Sequence, residues 1–286
     1  MKKMMFISAM ALVLAVAGTA CQPSGNQAKI DDFVIGEVYK TATMSYKLVG
    51  DTTYGKGVSV YNTTSVTMQW PTKFGSNDLT ALQDSLMLTV LDTTGIDINK
   101  AINLYINKPW WEGGGKAEKV ESVPEVSDSV RILERNVKMS SVGFSDTYMV
   151  FRIDYYEDFG GAHPNYYSHF LNYDIKNNKI LYYKDVFKPG TDAALLDVVK
   201  QGLCKKYMAN SLSELGEKSG IFIDQINVSR EIYLTGDKVV FHYNPYAIGC
   251  WAAGTIDLEV PAYELLDYLT DTAKTLFGFP AVPVRK

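Results

Sequence analysis

The sequence predicts an α+β fold of antiparallel sheets covered by a few helices, organised as two small subdomains. Three observations predict it. β-branched and aromatic residues alternate with polar ones in several runs, short turn signatures separate paired runs, and a few stretches place apolar residues at helical spacing. The resulting order is strands, helix, strands, helix, strands, helix, which suits antiparallel sheets with covering helices.

The first segment is not part of that fold. MKKMMFISAMALVLAVAGTAC has two lysines, an apolar run from Met4 to Ala17 and the small residues Gly18, Thr19 and Ala20 before Cys21. That is the order of a secretory signal, and the run is short for a membrane span of about 20 residues. A cysteine after small residues resembles the lipobox of bacterial lipoproteins, with Gly18 in place of the usual apolar residue. Residues 1–20 then read as a signal peptide and 21–29 as lipidated Cys21 with a polar tether. The expected location is the bacterial cell envelope, with attachment to the membrane through the N-terminal lipid.

From Phe33 to Trp70 the chain reads mainly as strands, since VSVYNTTSVTMQW alternates β-branched and aromatic residues with polar ones and stops at Pro71. Leu79, Leu82, Leu86 and Val90 then follow helical spacing behind the capping residues Ser76, Asn77 and Asp78. Residues 106–129, with GGG, two prolines and many charges, read as a long loop or connection. Strand patterns return in VRILERNVKMSSVGF and DTYMVFRIDYYED. The subdomains are expected as residues 30–130 and 131–286.

YYSHFLNYDI and KILYYKDVF flank Lys176, Asn177 and Asn178, a hairpin signature because asparagine tolerates the left-handed turn conformation. TDAALLDVVKQGLCKKYMAN reads as a helix with Leu195, Val198, Val199, Leu203 and Tyr207 on one face and Thr191 or Asp192 as its cap. A second hairpin turns at Thr235, Gly236 and Asp237. The last strand, GTIDLEV, runs into Pro261, which suits the first turn of a short helix.

The chain carries a formal charge of −4, and loss of Lys2 and Lys3 with the signal would make it more acidic. Nucleic acid demands a basic face, so it is not an expected partner. Cys204 and Cys250 could bridge in an oxidising envelope or remain buried thiols.

Candidate chemistry is sparse. His163, His169 and His242 would suit an open zinc site, but they lack the tight spacing that makes such an assignment specific. Glu157 and Asp158 are adjacent, so on a strand they point to opposite faces and make a poor glycosidase pair, with Asp154 a possible partner. No GxSxG, P-loop or GxGxxG pattern occurs. No cofactor or metal is called for, and a binding role is expected over catalysis.

Trp110 and Trp111 before GGG could stack on sugars or seal a gap. The loop FHYNPYAIGCWAAG is rich in aromatics and is either packed or a contact surface. Its Tyr246 and Trp251, with His163 and Pro164 of the GGAHP turn, are the candidate partner-binding residues.

Three stretches together resemble one family. GGAHPNYYSHFLNYDIKNNKILYYKDVFKPG, FHYNPYAIGCWAAG and GTIDLEVPAYELL are similar to the RsiV-like extracytoplasmic domain, over residues 30 to 270. That domain occurs in anti-sigma factors that sense lysozyme and beside some peptidoglycan deacetylases. The resemblance implies a sensor or binding module without the sigma-binding or deacetylase parts, engaging a lysozyme-like hydrolase. A cell-wall glycan bound at Trp110 and Trp111 is the alternative ligand, and hydrolysis through Asp154, Glu157 or His163 the alternative activity.

Overall fold

Strand β1 (Val38–Val49) and strand β2 (Ser59–Trp70) pair antiparallel, in register from Val38↔Trp70 to Leu48↔Val60. These elements belong to a computed structural model that describes residues 38–50, 53–73, 78–108 and 116–280. The expected signal peptide (1–20), Cys21 with the expected tether, Trp110 and Trp111 lie outside the described residues. Alternation gives the β1–β2 pair two chemically distinct faces. Thr43 meets Ser65 and Ser45 meets Thr63 in hydroxyl pairs of 3.0 Å on the outer face, while Val66, Met68 and Trp70 are buried on the inner one.

Two helices cover that inner face. Helix α1 (Thr80–Leu91) buries Leu82, Leu86 and Val90 as the spacing predicts. Of its expected caps, Asp78 accepts from the backbone of Thr80 at 2.9 Å, and Ser76 and Asn77 lie outside the described residues. Helix α2 (Ile98–Ile106) was not legible as a helix in the sequence. Asp97 caps it by accepting from the backbone N–H groups of Asn99 and Lys100, and it buries Ile98, Ala101, Ile102 and Ile106.

Within the expected long loop, strand β3 (Lys116–Val120) pairs antiparallel with β1. The chain then crosses to strand β4 (Val130–Phe144), which pairs parallel with β2 from Ser59↔Val130 to Met68↔Met139. Strands β5 (Tyr148–Asp158), β6 (Asn165–Asp174) and β7 (Lys179–Leu181) complete a seven-stranded sheet in the order β3-β1-β2-β4-β5-β6-β7. This sheet runs unbroken past residue 130, where the sequence places a subdomain boundary. Ten paired residues between β2 and β4 tie the two sides together.

What the chain does divide is the two faces of that sheet. Met149, Phe151 and Ile153 of β5 join the core under α1 and α2, whereas Tyr148 and Val150 join a second core on the opposite face. This second core is built by short helix α3 (Tyr183–Val186), α4 (Asp192–Lys206), α5 (Leu212–Ser219), a three-stranded sheet and α6 (Asp271–Leu276). The small sheet has strands β8 (Ile232–Thr235), β9 (Lys238–Tyr243) and β10 (Ile256–Pro261) in the order β10-β9-β8, all antiparallel. Both predicted hairpins form, with Asn178 at φ +50 and Gly236 at φ +54 in their turns.

Helix α4 begins after Thr191, but no side chain caps it; Asp192 instead bonds Arg230 and Tyr183. The segment after Pro261 forms a single 3-10 turn, Ala262–Leu265, in place of a short α-helix. Cys204 and Cys250 stand as free thiols. The first packs against the second core from α4, and the second faces the turn at Gly220, 3.4 Å from where a Cβ would lie, so separate elements hold them.

Asn172 of β6, 2 % exposed, joins the two sheets. Its amide donates to the Ile232 carbonyl at 2.8 Å and accepts from the Leu234 N–H at 3.0 Å. Replacing it leaves two buried backbone groups unpaired, so Asn172→Ala is expected to lose about 2–4 kcal/mol in urea unfolding. Asn62 of β2 presents the opposite case, because neither of its buried amide atoms has a hydrogen-bond partner among the described residues. The same measurement on Asn62→Leu is expected to show a gain of about 1–3 kcal/mol, since desolvation of the amide is no longer uncompensated.

Candidate functional site

The site is organised by the open edge of β6. Strand β7 pairs only with Asn172–Asp174, so the outward backbone groups from Pro164 to Phe170 have no strand beside them. Such an edge invites non-specific pairing unless it is covered. Here side chains from the second core cover it. The Asn244 amide accepts from the Ser168 N–H at 2.7 Å and donates to the Ser168 carbonyl at 3.0 Å, imitating a neighbouring strand. Glu231 accepts from the Phe170 N–H at 2.9 Å, and the Trp251 indole donates to the Pro164 carbonyl at 3.2 Å.

All four candidate partner-binding residues meet at the start of this edge. The His163 ring stacks on Trp251 with centroids 4.3 Å apart and 23° between planes. Its Nδ1 faces the Pro164 carbonyl at 3.1 Å, so that nitrogen carries the proton and donates. Nε2 is then the acceptor for the Tyr246 hydroxyl at 3.0 Å. Tyr166 closes the group edge-on to Trp251 at 5.8 Å.

Backbone geometry presents the cluster. Gly160 turns at φ +72, and a Cβ there would lie 2.8 Å from the Tyr54 ring, so glycine is required twice over. Gly161 has neither requirement, which places the sharp turn on one glycine and not on the pair. Tyr246 sits at φ +69 with 57 % of its surface exposed. A bulky residue in the left-handed region marks a constrained loop and is a pointer to function.

The histidines do not converge. His163 belongs to the aromatic cluster. His169, next but two along β6 from Tyr166, is on the opposite face and pairs with Glu231 at 2.8 Å. His242 is 1 % exposed, and its ring nitrogens face Asp257 at 2.6 Å and Asn244 at 3.1 Å. Among the described residues no group of three His, Cys, Asp or Glu could hold a metal.

The carboxylates are also separated. Glu157 pairs with Arg135 at 2.8 Å, whereas Asp154 accepts from Arg152 and Ser168, each at 2.6 Å. Asp158 accepts from the Gly160 N–H in the turn. Each is committed to a structural bond, and the strand alternation that the sequence shows parts Glu157 from both Asp154 and Asp158.

Sequence reasoning missed a second aromatic group across the sheet. Tyr155 and Tyr167 are a directly paired cross-strand couple, stacked at 4.7 Å and 11°. His169 meets both rings edge-on. Burial raises both tyrosine hydroxyls above their usual range, Tyr155 the more strongly. The alternation of Tyr167 with His169 in YYSH was the available signal, but strand pairing was needed to bring Tyr155 beside Tyr167.

Residues 184–263 match the family model DUF3298, a protein of unknown function, so a DUF3298 domain is present there. It includes Tyr246 and Trp251, while His163 and Pro164 precede it. A solved structure of a DUF3298 family member from Bacteroides fragilis is similar at TM-score 0.62 and 19% identity, covering 84% of this chain and 96% of that one. A DUF3298 family protein from Pseudomonas aeruginosa is similar at TM-score 0.53 and 14% identity, covering 85% and 97%. These likenesses concern the fold. No curated protein matches the sequence. No helix among the described residues is long and apolar enough to cross a membrane.

The His169–Glu231 pair gives the edge a pH dependence. The bond to Glu231 raises the His169 pKa above 6.5. A raised folded-state value means the pair stabilises fully below the unfolded value of about 6.5, and the contribution fades as pH climbs through the folded value. Thermal unfolding from about pH 5.5 upward should therefore show the wild type most superior to Glu231→Gln at the acid end, with the gap narrowing above neutrality. A gap that widens with pH would contradict this linkage.

Proposed function

We propose that this protein is a lipid-anchored binding module of the bacterial cell envelope that docks a lysozyme or related cell-wall hydrolase through the His163, Pro164, Tyr246 and Trp251 cluster. The observation that carries the reading is the convergence of these residues, from two loops more than eighty positions apart, on one partly exposed aromatic group. Tyrosine and tryptophan with fixed polar tips make strong interface anchors because little side-chain freedom is lost on binding. The Trp251 indole is already oriented by the Pro164 carbonyl, and Tyr246 by His163.

Charge supports the same partner class. The chain is acidic, with a formal charge of −4, and complementary charge accelerates encounter with a basic enzyme. The three motif stretches that resemble the RsiV-like domain supply the lysozyme-like identity of the partner. The lipobox-like segment ending at Cys21 supplies the anchor and the envelope location.

Calorimetric titration of the chain from Gln27 onward with a c-type lysozyme tests the reading. Submicromolar affinity that weakens with added salt is expected, together with suppressed lysis. Trp251→Ala and Tyr246→Ala should each weaken binding by about thirtyfold, the ~2 kcal/mol of an interface hot spot. Absence of heat and unchanged lysis at high concentration would remove lysozyme as the partner.

A further inference from the structure

A cleft of 460 Å³ opens on the other side of the β6 edge, away from the His163 cluster. The volume is in the range of small-molecule sites, about 300–1,000 Å³. Its lining includes Tyr155, Tyr167 and His169 from the large sheet, Tyr182 and Tyr183 beside α3, and Arg230 and Glu231 before β8. Strand alternation separates the two places, because Tyr166 points to the His163 cluster and Tyr167 to the cleft.

The polar groups of the cleft are held in position before any ligand arrives. Glu231 is fixed by the Phe170 N–H and by His169 Nδ1. The Arg230 guanidinium lies over the Tyr183 ring, 4.0 Å from its centroid, and is anchored on Asp192. The Tyr167 hydroxyl and His169 Nε2 have no hydrogen-bond partner among the described residues, so both are available to a ligand. Tyr182 is 60 % exposed, an aromatic face at the rim.

We propose that this cleft binds a short, uncharged oligosaccharide, stacked on Tyr167 and Tyr182 and hydrogen-bonded by His169, Glu231 and Arg230. A pyranose ring has an apolar C–H face and an equatorial belt of hydroxyls. It therefore matches aromatic faces alternating with fixed planar polar groups. An extended peptide matches less well, because it would add to β6 as a strand, and the Ser168 and Phe170 backbone groups it needs are already taken by Asn244 and Glu231. A strongly charged ligand also matches poorly, since Arg230 is offset by Asp192 and His169 by Glu231.

The test is calorimetric titration of the full-length chain, in a detergent without a sugar headgroup, with cellotetraose and with N-acetylchitotetraose. Binding of at least one is expected, weakened about tenfold or more by Tyr167→Ala and by Tyr182→Ala, in line with aromatic stacking. Tyr263→Ala, which alters an exposed tyrosine outside the cleft, should bind as the wild type does. Tyr182→Ala keeps the test valid should Tyr167→Ala fold poorly, because its ring is mostly in solvent. Binding of neither sugar, or sugar binding that survives both substitutions, overturns the assignment. Binding of tetra-alanine in place of the sugars makes the cleft a peptide groove and overturns it as well.

Discussion

The open edge of β6 is the constraint on which the rest of this molecule depends. A seven-stranded sheet that ends in a three-residue strand leaves backbone donors and acceptors exposed from Pro164 to Phe170. Sheets cannot leave such an edge bare without inviting association. The chain satisfies it with side chains from a separate layer: Asn244 and Glu231 take backbone groups of β6, and Trp251 takes the carbonyl of Pro164 just before it. Asn172 continues the same device inward, where it bonds the backbone of β8. Covering the edge and joining the two layers are therefore one set of interactions.

This arrangement also explains why aromatic side chains gather where they do. The edge is the border between the core under α1 and α2 and the core around α4 and the small sheet. Neither core's buried residues reach the last residues of β5 or the first residues of β6. Side chains there must be amphipathic, with rings to pack and polar tips to reach water, which is what tyrosine and histidine provide. Tyr155, Tyr167 and His169 occupy one face and Tyr166 and His163 the other. One strand thus presents two chemically different surfaces.

Much of the fold was legible in local sequence. Leu82, Leu86 and Val90 marked α1; Leu195, Val199 and Leu203 marked α4; and asparagine or glycine marked both hairpin turns. Helix α2 escaped because its nine residues include Asn99 and Asn103 and its cap, Asp97, sits in a turn-rich stretch. Strand β3 escaped because it is short, charged and exposed at a sheet edge. The parallel pairing of β2 with β4 had no local signal at all. It depends on where the α1–α2 excursion returns the chain, and this made one sheet across residue 130 look like two units.

The candidate residues divide in the same way. Sequence by itself determined which residue types were available: a glycine turn before His163, a proline loop bearing Tyr246 and Trp251, and carboxylates whose strand alternation already set Glu157 against Asp158. Only the tertiary structure decided that His163, Tyr246 and Trp251 share one cluster, that the three histidines go to three separate environments, and that Tyr155 stacks on Tyr167. The physical reason is range. Periodicity and turn chemistry act over a few residues and are written locally, whereas strand pairing and layer packing join positions 12 to more than 80 residues apart, and the free energy of those contacts exists only once the whole sheet has closed.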